Sequence, residues 1–149
     1  MSPVDPIALQ VTTGALRAAC DEMGAVLVRS AHSANIKERR DCSTALFDPQ
    51  GAMVMQAEHI PVHLGSMPAS VAAVLDREHL PGQSWILNDP YSGGTHLPDI
   101  TLITPAFDDS GRLLGFAANR AHHADVGGSV PGSMPADSTR LDQEGVIIE

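Results

Sequence analysis

Aromatic residues are nearly absent from this chain: one tryptophan, one tyrosine and three phenylalanines make up 3% of the sequence. Any core must therefore rest on Leu, Val, Ile, Met and Ala. Cysteine is as scarce. Cys20 and Cys42 cannot build a disulfide framework, and they read as reduced thiols of a cytoplasmic protein. Cys42 follows Arg39-Arg40-Asp41, which can lower a thiol pKa, although a half-buried, inert thiol is the simpler reading. Positive charge is also short. Nine Lys and Arg against 18 Asp and Glu give a net charge of −9 and a pI near 5.0, which argues against a nucleic-acid partner. No apolar run approaches the length of a membrane span. The N-terminus lacks the basic, apolar and small-residue order of an export signal, and repeats are missing. The 149 residues, 43% hydrophobic and 18% charged, suffice for one soluble domain with a real core.

Periodicity predicts an α+β architecture. Asp5-Pro6 starts a helix, and Ile7, Val11, Leu16, Cys20, Met23 and Leu27 carry it to about residue 34, with a break near Gly24 as the alternative. That stripe is expected to be core or a surface packed on another chain. Ser43–Asp48 and Ala52–Gln56 form a hairpin around Asp48-Pro49-Gln50-Gly51, a type I turn signature. Ser66 caps a second helix from about 67 to 78, with Val71, Val74 and Leu75 facing inward. Ser84–Asn88 is a short strand, and 99–105 with 113–119 form a second hairpin about Asp108-Asp109-Ser110-Gly111. Val146-Ile147-Ile148-Glu149 reads as the start of an unpaired strand.

The chemistry concentrates in Asn88-Asp89-Pro90-Tyr91-Ser92-Gly93-Gly94-Thr95-His96-Leu97-Pro98-Asp99. A loop this rich in carboxylates, glycines and prolines is costly to order, so a chain that keeps it usually uses it. Pro98 bends the segment, which can aim His96 and Asp99 at one point. Antiparallel pairing of the second hairpin sets Asp99 opposite about residue 120 and His96 opposite about residue 123. His122-His123-Ala124-Asp125 is thereby delivered onto the same cluster. Two imidazoles and a carboxylate are a common ligand set for a catalytic divalent metal; bonding of the imidazoles to loop carbonyls is the competing reading. His59 and His63 flank Pro61 and, if extended, share one side, where they line a pocket or bond backbone. Asp41 lies in the charged connector Ala34–Asp41, a solvated turn or a further contributor to the site.

Four motifs, in this order, carry a resemblance: Arg40-Asp41-Cys42-Ser43-Thr44-Ala45-Leu46-Phe47-Asp48, His59-Ile60-Pro61-Val62-His63-Leu64-Gly65-Ser66-Met67, the loop from Asn88 to Asp99, and His122-His123-Ala124-Asp125-Val126-Gly127-Gly128. Together they resemble the hydantoinase B/oxoprolinase family over about residues 5–149. The resemblance implies that residues 1–149 are the N-terminal part of a longer domain, belonging to a multi-subunit enzyme. It implies a partner A-type subunit that binds ATP and phosphorylates a substrate oxygen, and a B-type subunit that holds a divalent metal (Mn, Zn or Fe). By the same resemblance the metal ligands are His96, Asp99 and His122. The expected activity is ATP-dependent hydrolysis of a cyclic amide such as a hydantoin or 5-oxoproline. Carboxylation of a ketone, an assembly module without chemistry, and an inactive fragment are the alternatives. Asp89, His123 and Asp125 are candidates to orient a ligand or move a proton. Asp41, His59, His63, Gly93 and Gly94 are candidates for substrate binding, the glycines because they allow close backbone approach.

Overall fold

Helix α1 (Pro6–Ser30) begins as its first residues dictate, with the Asp5 carboxylate accepting from Ile7 N and proline in the first turn. The computed structural model describes residues 5–58, 63 and 65–148. α1 is shorter than periodicity predicts, because Ala31 turns extended and a separate helix α2 (Ala34–Lys37), capped by the Ser33 hydroxyl, follows. Of the α1 residues only Cys20 and Gly24 are buried. Ile7 and Val11 are 72% and 68% exposed, so the N-terminal half of the stripe is not core within this chain.

Among the described residues, five strands form one antiparallel sheet: β1 (Cys42–Phe47), β2 (Met53–Glu58), β3 (Trp85–Leu87), β4 (Asp99–Phe107) and β5 (Leu113–His122), in the order β2-β1-β5-β4-β3. Both expected hairpins are present. Asp48 makes the first turn by accepting from Gln50 N and Ala52 N, and Asp108 makes the second by accepting from Ser110 N and Arg112 N. The register differs slightly from the sequence expectation: Asp99 lies opposite His122 rather than residue 120.

Alternation sorts the sheet's side chains onto two faces. On one face Ala45 and Phe47 of β1, Ile103 of β4, Phe116 and Ala118 of β5 and Leu87 of β3 pack under Met67, Val71 and Val74. These come from α3 (Met67–Ala72) and the turn after it. α3 ends earlier than periodicity predicts, and Ser66 does not cap it with its side chain. On the other face lies α1, to which Thr44 donates a hydrogen bond at Cys20 O, 2.8 Å. The core is aliphatic with a few phenylalanines, as the composition requires.

The tail departs from expectation. Val146–Ile148 is not a strand but is fastened to the end of β3. The Asn88 side chain, wholly buried, donates to Leu97 O and Val146 O at 2.9 Å each and accepts from Ile148 N at 2.7 Å.

Candidate metal centre

The face that is apolar at the middle of the sheet turns polar at one end. Going outward, β4 reads Ile103, Thr101, Asp99, β5 reads Ala118, Arg120, His122, and β1 reads Ala45, Ser43. Pairing alone thus sets Asp99 against His122. His96 joins from the loop, where a tight turn closes by Asp99 N donating to His96 O, 2.9 Å.

Asp99 is the hub. Its Oδ2 lies 2.9 Å from His96 Nδ1 and accepts from the Thr95 hydroxyl at 2.8 Å, while Oδ1 lies 3.2 Å from His122 Nδ1. One ligand atom from each of His96, Asp99 and His122 falls within 4.8 Å of the others, and the two imidazole centroids are 5.0 Å apart. His63 approaches from a third side, its Nε2 3.7 Å from Asp99 Oδ2 and 3.9 Å from Asp41 Oδ1. His63 is buried and its Nδ1 is engaged by the Ser43 hydroxyl at 2.9 Å, yet its Nε2 has no hydrogen-bond partner among the described residues. Asp41, His63, Thr95, His96, Asp99 and His122 line a cleft of about 460 Å³.

Electrostatics follow from this crowding. Burial works to raise the Asp99 pKa, but the imidazoles of His63 and His96 and the Thr95 hydroxyl hold it well below the usual carboxylate range. The hydrogen bond to Asp99 pushes His96 up, against burial. His123 is pushed down by burial and then by His122, with Asp99 opposing. The centre therefore contains an ionised carboxylate beside an imidazole, His96, whose protonated form that carboxylate favours.

The remaining expected residues are placed as follows. His122 is in the cluster, whereas His123 does not line the cleft and fixes the loop by donating its backbone N–H to Pro98 O, 2.8 Å. Asp89 accepts from Tyr91 N and the Ser92 hydroxyl, which organises its own loop. Asp125 accepts from Gly127 N, Gly132 N and the Ser133 hydroxyl, and so staples the segment after β5. The close approach allowed by Gly93 and Gly94 is to the chain itself: a Cβ would stand 2.8 Å from Ala69 O at Gly93 and 2.4 Å from Asn88 O at Gly94. His59 lies outside the described residues. Cys42 is fully buried and its pKa is raised by burial and by Asp41, with Arg40 opposing, so the preceding basic run does not activate it. Thr95, Ser43 and Arg120 were not singled out by sequence. Alternation could have found Arg120 and Ser43, since both share the strand face of His122.

A His-Asp-His constellation at the mouth of an antiparallel sheet, with an unsatisfied imidazole facing it, is a donor set that could hold a divalent metal ion. The family model for hydantoinase B/oxoprolinase matches residues 5–149. The chain belongs to the hydantoinase B/oxoprolinase family. It is 46% identical over 148 residues to 5-oxoprolinase of Saccharomyces cerevisiae, covering 97% of this chain and 12% of that protein. The ATP-dependent caprolactamase of Pseudomonas jessenii superposes with a TM-score of 0.87 at 36% identity, over 99% of this chain and 26% of that one. A nucleotide-free acetone carboxylase superposes with a TM-score of 0.86 at 25% identity, over 97% of this chain and 20% of that one. The chain thus spans about an eighth to a quarter of the length of these relatives.

Proposed function

We propose that this chain is the metal-binding portion of an ATP-dependent hydrolase that opens a cyclic amide such as a hydantoin or 5-oxoproline, working with an A-type ATP-binding subunit. The observation that carries this is the convergence of His96, Asp99 and His122 on one point. The donor set fits a divalent metal. The two His–Asp separations, 2.9 and 3.2 Å, run to different oxygens of Asp99, and the three ligand atoms lie within 4.8 Å of one another; atoms about 2.1 Å from a common ion stand at most roughly 4.2 Å apart, so only a small inward shift of the side chains is needed to share one. Two imidazoles and one carboxylate suit Mn, Zn or Fe. When bound, such an ion supplies Lewis acidity and lowers the pKa of a coordinated water.

The chain's own groups have distinct tasks. Thr95 fixes the Asp99 carboxylate by donating to Oδ2. His63, held through Nδ1 by Ser43, presents its free Nε2 to a substrate oxygen, and Asp41 faces the same space. His59, outside the described residues, is proposed for substrate binding from the sequence alone. Asp89, His123 and Asp125 act indirectly, by ordering the loops that carry the ligands. Two buried, unpaired cysteines support a cytoplasmic location.

The 46% identity to a 5-oxoprolinase and 36% to a caprolactamase favour hydrolysis. Carboxylation of a ketone is the second reading, favoured by the acetone carboxylase superposition at lower identity. Metal analysis of the full complex tests the proposal. We expect a stoichiometric divalent metal in the unaltered complex and its loss in a His96→Ala/Asp99→Ala double variant; undiminished metal in that variant overturns it. Assays with 5-oxoproline, hydantoin and acetone in the presence of ATP then separate the two reactions.

A further inference from the structure

Arg120 is wholly enclosed, and all its observed hydrogen bonds go to hydroxyl groups. Nε donates to Thr101 Oγ1 at 2.8 Å, Nη1 to Ser66 Oγ, and Nη2 to Ser70 Oγ at 2.6 Å. A serine hydroxyl has a single proton to give, and each of these serines passes it on. Ser66 donates to His63 O at 3.0 Å, and Ser70 donates to Gly93 O. Thr101 stands two residues beyond Asp99 on the same face of β4. No carboxylate lies within ion-pair distance of the guanidinium among the described residues, and Asp99 supplies the opposing charge through space.

We propose that Arg120 is a positioning residue of the centre, which sets His63 and the His96 loop against Asp99 through three hydroxyl contacts, two of them relayed onward by Ser66 and Ser70. Burying a guanidinium is costly unless its donors are satisfied. Three donors diverging onto β4, the turn after His63 and α3 meet that requirement only in one relative arrangement of those pieces. The fork is specific to arginine, because a lysine ammonium is a compact donor that cannot span three such directions. The Ser66 arm ends on His63 itself. The Ser70 arm ends on Gly93, three residues before His96.

This inference rests on the metal reading only for its affinity measurement; a second, metal-free readout stands apart from it. Imidazole ¹⁵N shifts of His63 and His96 are recorded in the metal-free full complex for Ser66→Ala, Ser70→Ala and Arg120→Lys. Zinc dissociation constants are measured for the same set. We expect Ser66→Ala to move the His63 signals alone, Ser70→Ala those of His96 alone, and Arg120→Lys both. Zinc affinity should fall about tenfold for Ser70→Ala and up to about 100-fold for Arg120→Lys, the range typical of groups that orient ligands. Equal disturbance of both imidazoles by either serine variant would mean general loosening and overturn the proposal, as would unchanged shifts in Arg120→Lys. An unaltered complex that binds no zinc counts against the metal reading, while the imidazole signals still decide the role of Arg120.

Discussion

Single polar side chains hold much of this molecule together, and their removal has calculable consequences. Asn88 satisfies two carbonyls and one N–H from inside the protein. Asn88→Ala strands those groups, and a stranded buried donor or acceptor costs about 1–3 kcal/mol. Chemical denaturation should show a loss of roughly 2–4 kcal/mol. Cys42, buried and with its pKa raised, should resist alkylation by iodoacetamide at neutral pH in the folded protein and react only on unfolding. Asp125 is held below its ordinary pKa, chiefly by Gly132 N–H and then by Gly127 N–H and the Ser133 hydroxyl. A carboxylate depressed on folding adds stability above its unfolded pKa, about 3.9, and forfeits it as pH falls toward the folded value. The denaturation midpoint should therefore drop less steeply on acidification in Asp125→Asn than in the unaltered chain.

Secondary structure elements show what local sequence can and cannot announce. Turn chemistry at Asp48-Pro49-Gln50-Gly51 and Asp108-Asp109-Ser110-Gly111 made both hairpins legible, because short side chains there bond their own backbone. His96, Asp99 and His122 were legible as a cluster for the same reason, with the family resemblance choosing among neighbouring histidines. Helix ends were less legible. α1 stops at Ser30 and α3 at Ala72 although apolar spacing continues, since that spacing does not record where the chain must turn to reach the sheet. The Ser66 hydroxyl looks like a cap in sequence but is claimed by His63 O and Arg120. Asp125 reads in sequence as a candidate to orient a ligand or move a proton, and only three-dimensional geometry reveals the Gly127 and Gly132 N–H groups from which it accepts. Within β5, Gly115 has φ +150 and a Cβ there would stand 2.1 Å from Phe47 O. Gly115→Val should accordingly separate β1 from β5 and abolish cooperative unfolding, read by thermal circular dichroism.

At the scale of the whole molecule, the apolar surface is distributed unevenly. Ile7 and Val11, one helical turn apart on α1, are largely exposed, and Val26 is half exposed. Farther along α1, Ala19, Met23, Val26 and Leu27 border a groove of about 580 Å³ against Leu102 and Asn119 of the sheet. Exposed apolar area of this kind favours association. The isolated chain should sediment with concentration-dependent mass, and an Ile7→Lys/Val11→Lys variant should remain monomeric with an unchanged melting temperature. None of the described helices is long and apolar enough to cross a membrane.

The pairing of β4 with β5 shifts between Ala106 and Phe107: Phe107 faces Leu113, whereas Ala106 faces Gly115. Leu114 is the unpaired extra residue of this bulge. Had the first register continued, Asp99 would meet Ala121, whose side chain belongs to the opposite side of the sheet. Leu114 is what carries Asp99 past Ala121 to His122; with that residue deleted the two ladders run on as one, and Asp99 should still meet His122. The meeting of Asp99 with His122 is thus encoded partly as a reading frame between two strands, set far from the atoms it brings together.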